Sequence, residues 1–365
     1  MKFFLTVAVC ILKFIYFFFK LLPTQNKILY LSRQSDTISV DFEMIYDKIK
    51  NDFPEIKQVV ISRRMEKSFW GIFKNIWIFF PQMYHLATSK VCLSDGYSIP
   101  LSVLKHKKDL KVFQIWHSLI AVKKFGLAAQ MSPRKKTVSS VLKMHNNYDF
   151  ITCSAKAMIP AFSEAFGIPE EKFLEIGLPR IDSILKNAER YRKEFFQKYP
   201  LLKFKKILLY APTFRDYNNY KINELISAKP DDAVLIVRLH PNTECSIEER
   251  EDVLLCKEFS TLKLLAVANT VITDYSGIIA EAAAIDTPVL IFAYDYEQYE
   301  STVGINIDLR AEFDSCVFDN AEELFASEAY KKYDMRIIRN FKEKYVAGYE
   351  GDCTEKLADA VLAQL

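Results

Sequence analysis

The sequence predicts an α/β protein built from two doubly wound domains, each a parallel sheet covered by helices. Short β-branched runs alternate with longer amphipathic runs from residue 27 onward, which is typical of βα units. The alternation forms two blocks, joined by a charged helical run over residues 183–199 that ends before Pro200. The length of 365 residues suits about two domains. Two such domains are expected to face each other across a cleft.

Individual strands are predicted where short apolar runs are bounded by polar or turn residues. Helices are predicted between the strands, including residues 42–51 and 65–88, and most of 321–365 is expected to be helical. The strand runs of the first block are 28–32, 58–62, 91–94, 111–116, 150–154 and 173–176. Those of the second block are 206–211, 233–239, 263–265, 270–273, 289–292 and 316–318.

These elements divide the chain into four parts. We expect an N-terminal helix within residues 1–26, a first Rossmann-like domain over 27–185 and a connecting helix over 186–204. The second Rossmann-like domain then covers 205–365 and includes the C-terminal helices.

The N-terminal run, residues 3–22, is almost entirely apolar. Lys2, Lys13 and Lys20 fall on one helix face at 100° per residue, so the helix is suited to the headgroup region of a membrane. A membrane span with a snorkelling lysine and a buried N-terminal helix are the alternatives. Lys13 and the lack of a small-residue cleavage site disfavour a signal peptide.

The charge distribution indicates which class of partner the protein binds, and the cysteines indicate its redox compartment. The net charge of +3 is too small to indicate nucleic acid. Residues 101–145 are nevertheless rich in lysine, with Asp109 as their only acid, which suits an anionic partner unless the face is merely solvated. The seven cysteines form no CxxC or zinc-type spacing, and we interpret them as reduced cytosolic thiols.

Two histidines follow predicted strands, one in each block. His117 comes after the strand at 111–116, and His240 comes after the strand at 233–239. Ligands of open α/β sheets bind beyond the carboxyl ends of the strands, and histidine can act there as a base, an acid or a cationic donor. A structural role is the alternative for each.

The run 269–294 predicts a strand, a tight turn, a short helix and a second strand. Asp274, Ser276 and Gly277 form the turn, and a helix beginning there would offer N–H groups to a phosphate. Thr213 and Arg215 follow another strand of the same block, so arginine, histidine and a helix N-terminus could together bind a diphosphate. An ordinary βαβ unit remains the alternative.

Other motifs are missing. The sequence has no GxGxxG after the first strand, no GxxxxGK[ST], no GxSxG and no DxD at a strand end. We therefore expect a site without metal or organic cofactor, in which protein cations balance phosphate charge.

Taken in order, these motifs resemble those of the CDP-glycerol glycerophosphotransferases, the teichoic acid primases and polymerases. Trp116 and His117, followed by Lys123, Lys124 and Gly126, match the family's first motif. The further matches are residues 177–182, 211–216, 238–241, 273–276 and 295–299.

The resemblance implies a GT-B fold and attachment to the cytoplasmic face of the membrane. It implies transfer of a polyol phosphate from CDP-glycerol or CDP-ribitol to a lipid diphosphate-linked saccharide, with release of CMP. By the same resemblance His117 is the base, and His240 is a second catalytic residue near the phosphates. Lys123 and Lys124 are implied to be basic residues on the acceptor or phosphate side. The residues implied to contact the donor are Thr213, Arg215, His240, Pro241, Asp274, Ser276, Gly277 and, at the ribose, Glu281.

Two positions depart from the family pattern. Ser118 replaces a usual glycine, and Gly277 replaces the second serine of a frequent pair. The alternatives left open are a GT-B nucleotide-sugar glycosyltransferase and a catalytically inactive membrane-associated binding protein. The sequence does not decide between glycerol and ribitol, or between primase and polymerase.

Overall fold

The structure is a computed structural model that describes residues 2–64, 69–215, 221–240, 243, 247–346 and 350–365, with backbone alone for 69–75. The chain forms two compact units. Unit 1 comprises Met1–His117, Phe125–Arg180 and Asp352–Leu365, and unit 2 comprises Ser118–Lys124 and Ile181–Gly351.

Unit 1 contains a parallel six-stranded sheet in the order β2-β1-β3-β4-β5-β6. Its strands are β1 (Gln25–Ser32), β2 (Lys57–Ser62), β3 (Ser89–Ser94), β4 (Lys111–Gln114), β5 (Phe150–Cys153) and β6 (Phe173–Glu175). Its helices are α1 (Lys2–Phe19), α2 (Val40–Asp52), α3 (Phe69–Thr88), α4 (Ile99–Val103), α5 (Pro133–Val141), α6 (Ile159–Phe166) and, from the end of the chain, α16 (Cys353–Leu362).

Unit 2 contains a second parallel six-stranded sheet, in the order β12-β11-β10-β7-β8-β9. Its strands are β7 (Lys206–Tyr210), β8 (Ala233–Val237), β9 (Val253–Leu254), β10 (Thr270–Thr273), β11 (Val289–Phe292) and β12 (Val317–Phe318). Its helices are α7 (Pro179–Lys198), α8 (Ile222–Ala228), α9 (Thr261–Leu265), α10 (Ile278–Ala284), α11 (Tyr296–Thr302), α12 (Leu309–Phe313), α13 (Ala321–Ala326), α14 (Glu328–Lys331) and α15 (Met335–Tyr345).

Burial explains why both sheets read as apolar runs. All five residues of β8 and all four of β10 and β11 are buried, as expected where helices cover both faces of a parallel sheet. Helix α16 packs against α2, so the last segment of the chain completes the first unit.

Helix α1 is attached to unit 1 along one face only. Tyr16 is 1% exposed and donates its hydroxyl to Nδ1 of His106 at 2.8 Å, while Nε2 of His106 donates to Leu101 O at 2.7 Å. The opposite face is apolar and exposed. Its residues are Phe3, Phe4, Val7, Ile11, Phe14, Phe17 and Phe18. Within the described residues, α1 alone has the length and apolar composition needed to cross a bilayer.

Most predicted strands match observed ones, but the prediction of a strand at 263–265 is wrong. These residues belong to helix α9, whose N-terminus is capped by Ser260 through a bond from Lys263 N at 3.4 Å. The short strand β9 was not predicted. The predicted helix at 65–88 is observed from Phe69, and residues 65–68 lie outside the described chain. The expected domain boundaries also differ from the observed units, because Ser118–Lys124 belongs to unit 2 and Asp352–Leu365 to unit 1.

Candidate active site

His117 follows β4 at the carboxyl edge of the unit 1 sheet, and its side chain is exposed. The preceding residue, Trp116, has a left-handed backbone with φ of 55°, which costs a bulky residue about 1–3 kcal/mol. Gln114 accepts a bond from Trp116 N at 2.9 Å, and the indole stacks on Phe125 at 4.9 Å. These contacts hold the strained turn that presents His117.

The main chain fixes the tautomer of His117. Its Nδ1 lies 3.1 Å from Asp95 O, and a carbonyl oxygen can only accept, so Nδ1 carries the proton. The Gln34 amide nitrogen lies 3.3 Å from the same Nδ1, and a flip of that amide would supply its oxygen as a second acceptor. Nε2 therefore keeps its lone pair, as a general base requires.

Asp95 follows β3 and is a buried carboxyl beside His117. It is 3% exposed, and its Oδ2 accepts the Ser32 hydroxyl at 2.7 Å. Burial raises the pKa of Asp95 to about 6, although the Ser32 bond opposes the shift. The residue whose carbonyl accepts from His117 thus also carries a buried titratable side chain.

Arg180 ties three segments of unit 1 together. Its Nε donates to Asp41 Oδ2 at 2.9 Å, and its Nη2 contacts the same oxygen. Its Nη1 donates to His117 O at 3.3 Å. The guanidinium therefore holds the backbone of His117, while the carbonyl of Asp95 holds its ring.

A cavity of about 610 Å³ opens beside Trp116 within unit 1. Phe166 and His145 line it and contact the Trp116 ring at 5.2 and 5.8 Å. The rest of the lining combines apolar side chains with lysines and hydroxyls. It includes Leu127, Met131, Met144, Ile168, Lys136, Lys143, Ser139 and Ser140.

In unit 2, the predicted turn is built around Asp274. The residue is fully buried, and its Oδ1 accepts from Thr213 N at 2.8 Å. This bond joins the loop after β7 to the turn after β10, which are neighbouring strands. Ser276 and Gly277 follow, half-buried, and α10 begins at Ile278 as predicted.

Arg215 lies between two carboxylates. It donates to Asp274 Oδ2 at 2.7 Å and to both oxygens of Asp295 at 2.6 and 2.9 Å. Burial opposes its charge, but Asp295 and Asp274 outweigh that effect and raise the pKa of Arg215 further. Its side chain is 0% exposed, so in this structure it shapes the turn, and a direct phosphate contact stays a prediction.

The other predicted donor residues lie on the same unit. His240 is exposed and its ring lies 5.3 Å from that of Phe214, in the loop that carries Thr213 and Arg215. Glu281 is 8% exposed on α10. Pro241 lies outside the described residues.

Lys123 and Lys124 belong to the segment Ser118–Lys124, which packs within unit 2. Burial lowers the pKa of Lys123, while the charge of Asp274 opposes that shift. The Lys123 ammonium therefore interacts electrostatically with the carboxylate of Asp274 in the turn. Lys124 N donates to Gly304 O at 2.9 Å, which anchors this end of the segment.

Comparison with known proteins identifies the family. The profile of the "CDP-Glycerol:Poly(glycerophosphate) glycerophosphotransferase" family matches residues 14–363. The chain is 32% identical to a teichoic acid ribitol-phosphate primase of Bacillus spizizenii over 93% of this chain and 92% of the relative.

The chain belongs to the CDP-glycerol glycerophosphotransferase family. It is also 28% identical to a teichoic acid glycerol-phosphate primase of Bacillus subtilis, over 86% of this chain and 81% of the relative. Its fold is similar to that of the wall teichoic acid polymerase TagF, with a TM-score of 0.78, 17% identity and coverage of 99% and 97% of the two chains.

These similarities confirm the predicted family, the α/β GT-B fold class and the transferase class. The site residues of this glycerophosphotransferase were assigned by motif, and their roles stay predictions. Asp95 and Asp295 were not singled out for a role. Both follow predicted strands, as His117 does, so the strand-end rule could have found them. Arg180 lies inside the matched motif at residues 177–182. Its partner Asp41 lies in no such motif, so the local sequence does not indicate the pairing.

Proposed function

We propose that this glycerophosphotransferase moves glycerol phosphate or ribitol phosphate from a CDP-polyol to a hydroxyl of a lipid diphosphate-linked saccharide. The acceptor oxygen forms a new bond to the β-phosphorus, and the bond from that phosphorus to the bridging oxygen breaks. CMP leaves with the bridging oxygen, and the hydroxyl proton goes to Nε2 of His117.

The observation that carries this proposal is the hydrogen bond between His117 Nδ1 and Asp95 O at 3.1 Å. It leaves Nε2 on an exposed side chain as the proton acceptor. Catalysis of phosphoryl transfer depends mainly on positioning and charge stabilisation, so one oriented base and a set of cations are sufficient protein chemistry.

The donor diphosphate is assigned to the unit 2 turn. Ser276, Gly277 and the N–H groups that follow offer hydrogen bonds, and the exposed His240 adds a donor. Lys123 supplies positive charge toward the same turn, as its coupling to Asp274 implies. Arg215 and Asp274 act as positioning residues, because their charged groups are already paired.

The acceptor is assigned to the cavity beside Trp116. Its volume of about 610 Å³ falls in the range of about 300–1,000 Å³ for ligand pockets. Met131, Met144 and Phe166 suit the apolar part of the ligand, and Lys136 and Lys143 suit its diphosphate. Helix α5, which carries Lys136, packs against α1.

Helix α1 is assigned to the cytoplasmic face of the membrane, where it lies in the surface. The hydrogen-bonded Tyr16 face is attached to unit 1, and the exposed phenylalanines form the other face. A helix bound along one side to its own domain is suited to insertion of the other side into the headgroup region. This geometry favours a peripheral enzyme over a spanning anchor.

The test is release of CMP from CDP-glycerol and CDP-ribitol with a lipid diphosphate saccharide as acceptor. We expect His117→Ala to lower turnover by about 10²–10⁴-fold without a change in donor affinity. The matched control is His85→Ala, which removes a histidine that contacts Lys27 at 3.2 Å, and it should keep near wild-type turnover. Wild-type turnover by His117→Ala would exclude the base. Release of UDP or GDP from nucleotide-sugar donors, offered in place of the CDP-polyols, would instead indicate a glycosyltransferase.

A further inference from the structure

Gly277 is a glycine for reasons of space. Its φ of −61° and ψ of −17° are ordinary helical values that any residue adopts. A Cβ built there would overlap the Ser118 hydroxyl oxygen, yet it would lie 3.6 Å from Ser118 Cβ and 4.0 Å from Ile120 O. Among the atoms of the described residues, the one close obstacle is therefore the Ser118 hydroxyl.

That hydroxyl is held in place. Ser118 Oγ donates to Ile120 O at 2.7 Å, so rotating it away from position 277 breaks a hydrogen bond. Leu119 and Ile120 are buried, with exposures of 1% and 2%, which leaves the backbone of this segment little freedom to shift. The two positions that depart from the family pattern thus face each other within unit 2.

The far end of the segment is held by main-chain bonds. Asn306 N donates to Val122 O at 2.8 Å, and its side-chain amide donates to Ala121 O at 3.1 Å. Lys124 is bound to Gly304, as described above. The contact of Ser118 with Gly277 therefore holds the near end of a segment whose far end is already fixed.

We propose that Ser118 is a positioning residue whose hydroxyl interlocks the segment Ser118–Lys124 with the donor turn, and that Gly277 is required to admit it. The role in donor binding rests on the proposed function. Ser118 directly follows the proposed base in the chain. Lys123, in the same segment, interacts electrostatically with Asp274 of the turn. A shift of Ser118 consequently changes how cations are presented to the donor diphosphate.

A double-mutant cycle tests the interlock. Gly277→Ala introduces the overlap, whereas Ser118→Ala removes the oxygen and leaves a Cβ at ordinary contact distance. We expect Gly277→Ala to weaken CDP-glycerol or CDP-ribitol binding, measured by calorimetry, by about tenfold, which is the loss of one neutral hydrogen bond. Ser118→Ala deletes the same hydrogen bond to Ile120 O and should also weaken binding about tenfold. Ser118→Ala with Gly277→Ala should bind no more weakly than either single variant, because the overlap needs both the added Cβ and the hydroxyl.

The urea midpoints of the same four proteins separate this inference from the proposed function. The double variant should be more stable than the sum of the single changes predicts, whether or not a CDP-polyol binds. Additive midpoints would overturn the interlock. Coupled midpoints with unchanged donor affinity in Gly277→Ala would overturn the positioning role. If the wild-type protein bound no CDP-polyol, the proposed function and the donor role would both be wrong, while the coupled midpoints would still support the interlock.

Discussion

Replacing Arg215 by alanine is expected to destabilise unit 2 severely. The Arg215 side chain is 0% exposed, and its partners Asp274 and Asp295 are 1% and 3% exposed. Alanine would leave both carboxylates buried without their cation. Removing one partner of a buried ion pair typically costs about 3–5 kcal/mol.

The structure places the expected loss at the upper end of that range. Arg215 donates to Asp295 at 2.6 and 2.9 Å, to Asp274 at 2.7 Å and to Thr213 O at 3.1 Å. Tyr275, which is fully buried, also donates to Asp295 at 3.1 Å. One cation therefore serves two carboxylates and a carbonyl, so the loss should approach about 5 kcal/mol.

The assay is urea unfolding followed by circular dichroism, with the free energy of unfolding taken from linear extrapolation. Arg336→Ala is the matched control. Arg336 also meets a carboxylate at 2.6 Å, that of Asp334, but its side chain is 84% exposed. We expect its urea midpoint to equal that of wild type, because exposed pairs contribute little.

Equal midpoints for Arg215→Ala and Arg336→Ala would show that burial does not set the strength of this pair. Arg215→Lys distinguishes the positioning role from direct phosphate contact. Lysine keeps the charge but cannot bond both carboxylates as a fork, so stability should fall together with donor affinity. Unchanged stability with lost donor affinity would instead indicate direct contact.

Three further predictions concern unit 1. Because burial raises the pKa of Asp95 to about 6, its protonation should stabilise the folded state as the pH falls from about 7 to about 4. Asp95→Asn should abolish about 2–3 kcal/mol of that rise in urea unfolding, and an unchanged pH profile would contradict the assignment. Phe14→Ser with Phe18→Ser should lower binding to anionic vesicles at least about tenfold in flotation. The control Leu201→Ser with Phe204→Ser changes side chains that are 83% and 86% exposed in unit 2, and equal losses in both pairs would argue against α1. Lys136→Ala with Lys143→Ala should raise the acceptor KM several-fold and leave the donor KM unchanged, whereas an unchanged acceptor KM would remove the acceptor from this cavity.

The strands were predictable because both sheets are parallel and buried, so each strand is a short apolar run bounded by polar residues. The prediction at 263–265 failed because Lys-Leu-Leu is too short a run for its apolar residues to distinguish a strand from a helix. The helix cap at Ser260 was the stronger signal. The two-residue strand β9 is too short to produce any period.

The candidate site was predictable where function depends on residues directly after strands. The placement of Arg215 between Asp274 and Asp295 was not predictable. Asp295 and Arg215 are 80 positions apart, and only tertiary packing brings them together. The tautomer of His117 likewise depends on the main-chain carbonyl of Asp95. Because every residue has such a carbonyl, the sequence does not show which one accepts from His117. The contact between Ser118 and Gly277 could be suspected only as two separate departures from a pattern.

The return of α16 to unit 1 has a consequence for synthesis of the protein. Helix α2, with Phe42, Ile45 and Ile49 fully buried, packs against a helix that begins at Cys353. During translation the whole of unit 2 emerges from the ribosome before α16 does. Since non-local contacts form late and carry a loop-closure cost, unit 1 should finish folding after unit 2. An interrupted chain would therefore expose an apolar surface on the earlier-made unit.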